Sequence, residues 1–215
     1  MSVEAVVFDI GGVLLDWDPR HLYRSVFATE ADMERFLAEV CTLEWHVAHD
    51  RGVPYAENAA PLVARHPHDA EAIRAWSERS EEMERGEIAG SVRILRALID
   101  AGVPVYALTN MERDTYELRL GRYPFMSWFA GAVVSSHEGV VKPDPEIFRR
   151  LLARFGLDAP GTLLIDDAQR NLDTAAKLGF QTLRFTDPAP LATALRARGL
   201  PLQDDAEHEP QPQHH

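Results

Sequence analysis

Several polar side chains in this sequence stand where a short apolar run ends. Asp9 follows "AVVF", Thr109 and Asn110 follow "VYAL", Lys142 lies just past "GAVVSS", and Asp166 with Asp167 closes "TLLI". Three carboxylates gathered at one place and kept ionised need a cation, and hard oxygen donors without Cys or His partners select Mg²⁺ over zinc. An ammonium beside such a centre makes a seat for a dianionic group such as phosphate. The glycine pair Gly11 and Gly12 keeps side chains out of the loop after Asp9, so backbone amides can approach phosphoryl oxygens. Asp9, beside the metal, would be the nucleophile. Taken singly, these residues have plainer readings: Asp9 as a turn cap, Thr109 as strand filler, Lys142 as a solvated loop charge. What argues for a site is their joint placement, because ligands of an open parallel sheet bind outside the carboxyl ends of its strands.

The elements that must position them follow from hydrophobic periodicity. Ala5 to Phe8 is an uninterrupted β-prone run, as expected of a strand buried on both faces of a parallel sheet. After residue 90 the pattern repeats. Ser91 reads as the cap of a helix carrying Val92, Leu95, Leu98 and Ile99, with Gly102 as its stop. The strand "VPVYALTN", a helix from Glu112 to Leu120 and the strand "GAVVSS" come next. "KPDPEIFRRLLARFG" offers Asp144 as cap, Pro145 at the first helical position and Gly156 as terminator. The strand "TLLIDD", a helix from Gln169 to Leu178 closed by Gly179, the strand "QTLRF" and a last helix through Leu191, Leu195 and Arg198 complete the series. Strands alternating with helices predict an α/β fold, a parallel sheet covered on both faces. Residues 17–87 differ: they carry helix patterns, including a Thr29 to Asp32 capping box, and no convincing strand, so they read as a helical insertion. Residues 201–215 are polar, proline-bearing and aperiodic, and a flexible tail is expected there; no metal role is assigned to its terminal histidines.

Composition narrows the partners. The 215 residues carry a formal charge of −12, with 34 acidic against 22 basic side chains. Phosphate backbones and anionic lipids call for clustered Lys and Arg, so nucleic acid and membrane surfaces are excluded as main partners. The single cysteine, Cys41, cannot form an internal disulfide, and no apolar run is long enough for a signal peptide or a membrane span, which points to the cytoplasm. Cys41 follows Met33, Phe36, Leu37 and Val40 at helical spacing, the setting of a packed thiol rather than a nucleophile.

"FDIGGVL" with Asp9, "LTN" with Thr109, "VVKPDPEIF" with Lys142 and "LIDDAQRN" with Asp166 and Asp167 resemble, in order and spacing, the four motifs of the haloacid dehalogenase-like hydrolase superfamily, across residues 5 to about 186. The resemblance implies a Rossmann-like core, residues 1–16 and 88–200, and a helical cap, residues 17–87, closing over the site. It implies attack by Asp9 on phosphorus, phosphoryl oxygens bound by Thr109 and the Asn110 backbone, charge stabilised by Lys142, and Mg²⁺ held by Asp9, Asp166, Asp167 and a main-chain carbonyl at Gly11. A small phosphorylated metabolite would be the substrate, and a monomer or homodimer the working form.

Gly11 departs from the usual pattern, in which an aspartate two residues after the nucleophile protonates the leaving group. The start "FD-x-G-x-V" with an intact "DD" looks like the bacterial α-D-glucose-1-phosphate phosphatases, as does the stretch "WHVAHDRG", which favours a sugar phosphate. An anomeric hydroxyl leaves more readily than a simple alcohol, and any proton would come from water, Asp16, His46 or Asp50. Two alternatives remain open: a metal-independent 2-haloacid dehalogenase, and a protein that binds phosphate without turnover. His46 and His49 read as hydrogen-bonded helix positions rather than a zinc pair, Trp45 and Trp76 as cap core, and Asp16 and Asp18 as organisers of a turn. "SERSEEMERGE" reads as a solvated helix face.

Overall fold

The computed structural model describes residues 2–202. Strands β1 (Ala5–Phe8) and β2 (Leu15–Trp17) lead into helices α1 (Pro19–Tyr23), α2 (Glu30–Glu39), α3 (Leu43–Asp50), α4 (Tyr55–Arg65) and α5 (Ala70–Glu78), and then strand β3 (Glu84–Glu87). The remainder alternates: α6 (Ala89–Asp100), β4 (Val105–Thr109), α7 (Arg113–Arg122), β5 (Gly131–Val134), α8 (Ser135–Glu138), α9 (Pro145–Phe155), β6 (Thr162–Asp166), α10 (Gln169–Lys177), β7 (Gln181–Arg184) and α11 (Pro188–Ala197). Five of these strands form one parallel sheet in the order β5-β4-β1-β6-β7. It is an α/β fold with helices on both faces and an inserted α-helical cap, as the alternation predicts.

Strand periodicity explains the layers. Successive side chains point to opposite faces, so Val6 and Phe8 of β1 join Leu163 and Ile165 of β6 beneath Leu95, Leu98 and Leu195. Val7 and Leu164 point the other way, onto Phe148, Leu151 and Leu172. Val6, Val7 and Phe8 are wholly buried, which is why the run has no polar alternation. α9 begins and ends as expected: Asp144 accepts the Glu146 N–H at 2.9 Å, Pro145 opens the helix, and Gly156 at φ +64° terminates it. A separate apolar cluster that includes Leu22, Tyr23, Phe36, Ile73 and Trp76 holds α1 to α5 together. Cys41 lies in it, 1% exposed, and burial pushes its thiol up to about 12, the packed and unreactive state expected.

Three expectations need correction. The 17–87 segment does contain a strand, β3, which pairs antiparallel with β2 in the register Leu15 to Glu87 and Trp17 to Glu84. Its sequence "ERGE" is polar and its partner lies some seventy residues away, so no local pattern announces it. α6 begins at Ala89, not after Ser91, because the Ile88 N–H is bound to the Leu14 carbonyl at 2.8 Å and the strand pair runs straight into the helix; Ser91 is buried inside the first turn. The acidic run is largely solvated, with Glu78, Glu81, Glu82 and Glu87 exposed, but it is not one helix face: it spans the end of α5, a turn and β3. Met83 is buried at 1%, and the Glu84 side chain, 4% exposed, meets the Arg119 guanidinium at 2.6 Å. Leu202 packs on the sheet core, and the rest of the expected tail, 203–215, lies outside the described residues. No helix among the described residues is long and apolar enough to cross a membrane.

Candidate active site

All the strand-end residues meet at one edge of the sheet. Asp9 leaves β1 with its N–H still on the ladder, bound to Ile165 at 2.9 Å, and one carboxylate oxygen accepts the Ile10 N–H at 2.7 Å. The other oxygen lies 2.8 Å from the Lys142 ammonium, which also touches Asp166 at 2.7 Å. Lys142 is 1% exposed and Asp166 is fully buried. Burial alone would drive the Lys142 ammonium down, but the Asp166 and Asp9 carboxylates overcome it and hold it charged. Asp166 is further fixed by the Ala168 N–H at 2.9 Å and by the Asn171 amide at 2.9 and 3.1 Å.

One ammonium faces three carboxylates. Oxygens of Asp9, Asp166 and Asp167 lie within 4.8 Å of one another. Burial, and then the charges of Asp166 and Asp167, push the Asp9 carboxyl upward against the pull of Lys142. Burial and Asp166 raise Asp167 likewise. Such a cluster could hold a further cation, and an all-oxygen donor set suits Mg²⁺. Gly12 is required at its position: φ is +74°, and a Cβ there would stand 2.8 Å from the Asp167 carboxylate. At Gly11 a Cβ would meet nothing within 4 Å, so the glycine leaves open space beside Asp9.

Thr109 is 1% exposed and its hydroxyl has no hydrogen-bond partner, which a bound oxyanion would supply. Asn110 differs from a simple phosphate ligand. Its side-chain amide clasps the Lys142 backbone, donating to the carbonyl at 2.9 Å and accepting from the N–H at 2.8 Å. Only the Asn110 main chain is left for a ligand.

Above the sheet edge a cavity of about 540 Å³ is roofed by α2 and α3, and Asp9, Asp50, His46, Lys142 and Asp167 line it. α3 is seated on the core by the Ser135 hydroxyl, which donates to the Asp50 carbonyl at 2.5 Å. The Asp50 carboxyl is 7% exposed in the whole residue, and burial pushes it up to about 7 despite Lys142, Arg119 and Arg170. His46 accepts the Trp76 indole N–H on Nδ1 at 3.1 Å, which places the proton of the neutral ring on Nε2, 3.5 Å from Asp50 Oδ1. Burial, then His49 and Arg119, drive His46 down to about 3, so the two do not form an ion pair. His49 is also neutral and satisfied, donating to Val53 and accepting from Asn58, which leaves no zinc pair. Asp16 is turned to His21 at 2.9 Å, and Asp18 caps α1 through the Arg20 N–H at 2.9 Å. Asn171 and the Glu84–Arg119 pair escape sequence reasoning. Asn171 sits in the quoted "DDAQRN" stretch, but nothing local shows that its amide reaches back to Asp166.

A five-stranded parallel sheet with carboxylates and a lysine at its carboxyl edge, under a helical cap, defines a class of hydrolase. A family model described as haloacid dehalogenase-like hydrolase matches residues 3–179, and the chain belongs to that family. Similar proteins include the sesquiterpene phosphatase astK of Aspergillus oryzae, 27% identical over 93% of this chain and 97% of that one. The phosphorylated carbohydrates phosphatase of Thermotoga maritima is 26% identical over 84% of each. Two further relatives are longer proteins, of which the chain spans 34% and 7%. Among solved structures, a magnesium complex of a HAD family enzyme from Bacteroides thetaiotaomicron superposes with TM-score 0.70 at 18% identity, over 91% of this chain and all of that one, a likeness of fold. Several of these relatives are named as phosphatases.

Proposed function

We propose that the protein hydrolyses phosphate monoesters of small metabolites through an aspartyl-phosphate on Asp9, with Mg²⁺ as cofactor. The observation that carries this is the Asp9–Lys142–Asp166 contact chain beside the unpartnered Thr109 hydroxyl: a held nucleophile next to a buried oxyanion seat. Residues 17–87 serve as the cap and 1–16 with 88–200 as the catalytic core. Asp9, Asp166, Asp167 and the Gly11 carbonyl would hold the cation, which when bound neutralises charge on the phosphoryl group. The magnesium complex of the structural relative supports that choice.

A carboxylate oxygen of Asp9 attacks phosphorus as the ester oxygen leaves. Lys142 pulls Asp9 toward its ionised form and aims it, while the Thr109 hydroxyl and the Asn110 N–H donate to phosphoryl oxygens. The leaving oxygen needs a proton that Gly11 cannot give. His46, neutral and driven down to about 3, cannot give it either. Asp50 can: it lines the same cavity and, pushed up to about 7, is half protonated near neutrality. It protonates the alcohol, then takes a proton from the water that attacks the phosphoryl group, returning Asp9 as a carboxylate and releasing phosphate. A dehalogenase has no use for Asp166 and Asp167 crowded against Asp9, and that crowding favours the phosphatase. The relatives' names divide over the alcohol, sesquiterpene or carbohydrate; the motif pattern favours a sugar, the cavity lining does not.

The test is phosphate release from an aryl phosphate and from glucose 1-phosphate, with Mg²⁺ or chelator, beside Asp9→Asn and with 2-chloropropionate as a control. Metal-dependent release lost in the variant supports the proposal. Halide release without metal, or phosphate release that survives Asp9→Asn, overturns it.

A further inference from the structure

We infer that the alcohol part of the substrate is an apolar chain or ring system, held between α3 and α7 with its phosphate at Asp9. The inference rests on the phosphatase reading above and specifies the substrate class for the same site. Leu43 and Val47 lie four apart on α3 and so share one helix face; with Leu37 of α2 they line the cavity from the cap side. Met111 and Leu118 line it from the core side. Leu43 and Leu118, 53% and 52% exposed, are the large hydrophobic residues left exposed among the described ones, and both border this cavity, one on each side. Two half-exposed leucines bracketing a cleft of about 540 Å³ mark a surface that gains by being covered.

Apart from exposed Arg170 and the groups of the phosphate site, the charged side chains lining the cavity are matched to one another. Arg20 holds Glu34 at 2.5 and 2.8 Å, Arg119 holds Glu84 at 2.6 Å, and Arg122 reaches Glu81 at 3.4 Å. Glu112 accepts from the Thr115 hydroxyl at 3.0 Å and from two backbone amides at 2.9 Å. A sugar binds through hydroxyls that need uncommitted donors and acceptors, and breaking these pairs to supply them leaves charges unmatched. An apolar body asks for none and removes the exposed leucine surface from water.

The experiment uses the full chain with Mg²⁺ and a series from ethyl to octyl phosphate, below their aggregation limits, beside glucose 1-phosphate and an aryl phosphate. Binding of the matching n-alkyl phosphonates, which do not turn over, is measured by calorimetry. Each buried methylene is expected to raise kcat/KM and phosphonate affinity about three- to fourfold until the cavity is filled. Leu43→Ser combined with Leu118→Ser is expected to cut the octyl-to-ethyl ratio about tenfold, and both side chains are exposed enough for the variant to fold. Ethyl and octyl phosphonate binding with equal affinity, or glucose 1-phosphate outrunning octyl phosphate, overturns the inference. Chain-length-dependent phosphonate binding without hydrolysis of any ester supports the apolar seat and refutes the phosphatase reading instead.

Discussion

Replacing Asp50 by Asn separates its catalytic role from its structural cost. The side chain keeps its size and its place beside His46, but it can no longer carry a proton to the leaving oxygen. With octyl phosphate, whose alkoxide leaves poorly, kcat/KM is expected to fall by about 10² to 10⁴, the usual contribution of a general acid. With an activated aryl phosphate, whose oxygen needs little protonation, the loss should stay within about tenfold. The wild-type rate on the alkyl ester should decline as pH rises through about 7, where Asp50 loses its proton. That limb should vanish in the variant. The groups facing Asp50 are Lys142, Arg119 and Arg170, which favour its ionised form, Glu112, which opposes it, and neutral His46. Stability moves the other way. The folded carboxyl titrates at about 7 against an ordinary 3.8, so its contribution is fully present below the unfolded value and is lost as pH rises through the folded one. The gap corresponds to about 4 kcal/mol. Asn has no charge to bury, so Asp50→Asn should match the wild type in urea unfolding at pH 3.5 and exceed it by up to about 4 kcal/mol at pH 8. Equal losses on alkyl and aryl esters, or an alkaline limb that survives the substitution, would refute the assignment of Asp50 as proton donor.

Other outcomes follow from the same geometry. Lys142→Met leaves the fully buried Asp166 and its neighbour Asp9 without their ammonium, and should cost about 3 to 5 kcal/mol in denaturant unfolding along with all measurable turnover. Gly12→Ala meets both a positive φ and the Asp167 carboxylate, so it should destabilise by about 1 to 3 kcal/mol, whereas Gly11→Ala, with open space around it, should stay within about 0.5 kcal/mol by the same assay. Saturating Mg²⁺ should raise the thermal midpoint of the wild type, by about 2.7 kcal/mol of stabilisation at a hundredfold excess over Kd. Asp167→Asn should abolish that rise, and a rise of equal size in the variant would remove Asp167 from the cation site.

The parallel sheet and the residues at its carboxyl edge were legible in the sequence because the signals are local. An unbroken apolar run such as Val6 to Phe8 needs no partner to be read, and the Asp144, Pro145 and Gly156 punctuation of α9 acts within a few residues. Once strands alternate with helices, the strand-end rule places Asp9, Thr109, Lys142, Asp166 and Asp167 together without knowledge of their distances. What remained hidden depends on pairings between distant segments. The short polar strand β3 exists only because β2 lies beside it, and Glu84 looks solvated until Arg119 closes on it. Asn110 carries no mark that its side chain serves the Lys142 backbone rather than a ligand. Asp50 stands forty-one positions beyond Asp9, and its burial above the same cavity is set by how α3 rests on Ser135. The apolar lining from Leu43 to Leu118 likewise belongs to no single helix. The chain's order shows which groups it owns and the strand ends that carry them; only packing of the cap on the sheet decides which of them share one cavity, because a cavity is made by surfaces that meet, not by residues in order.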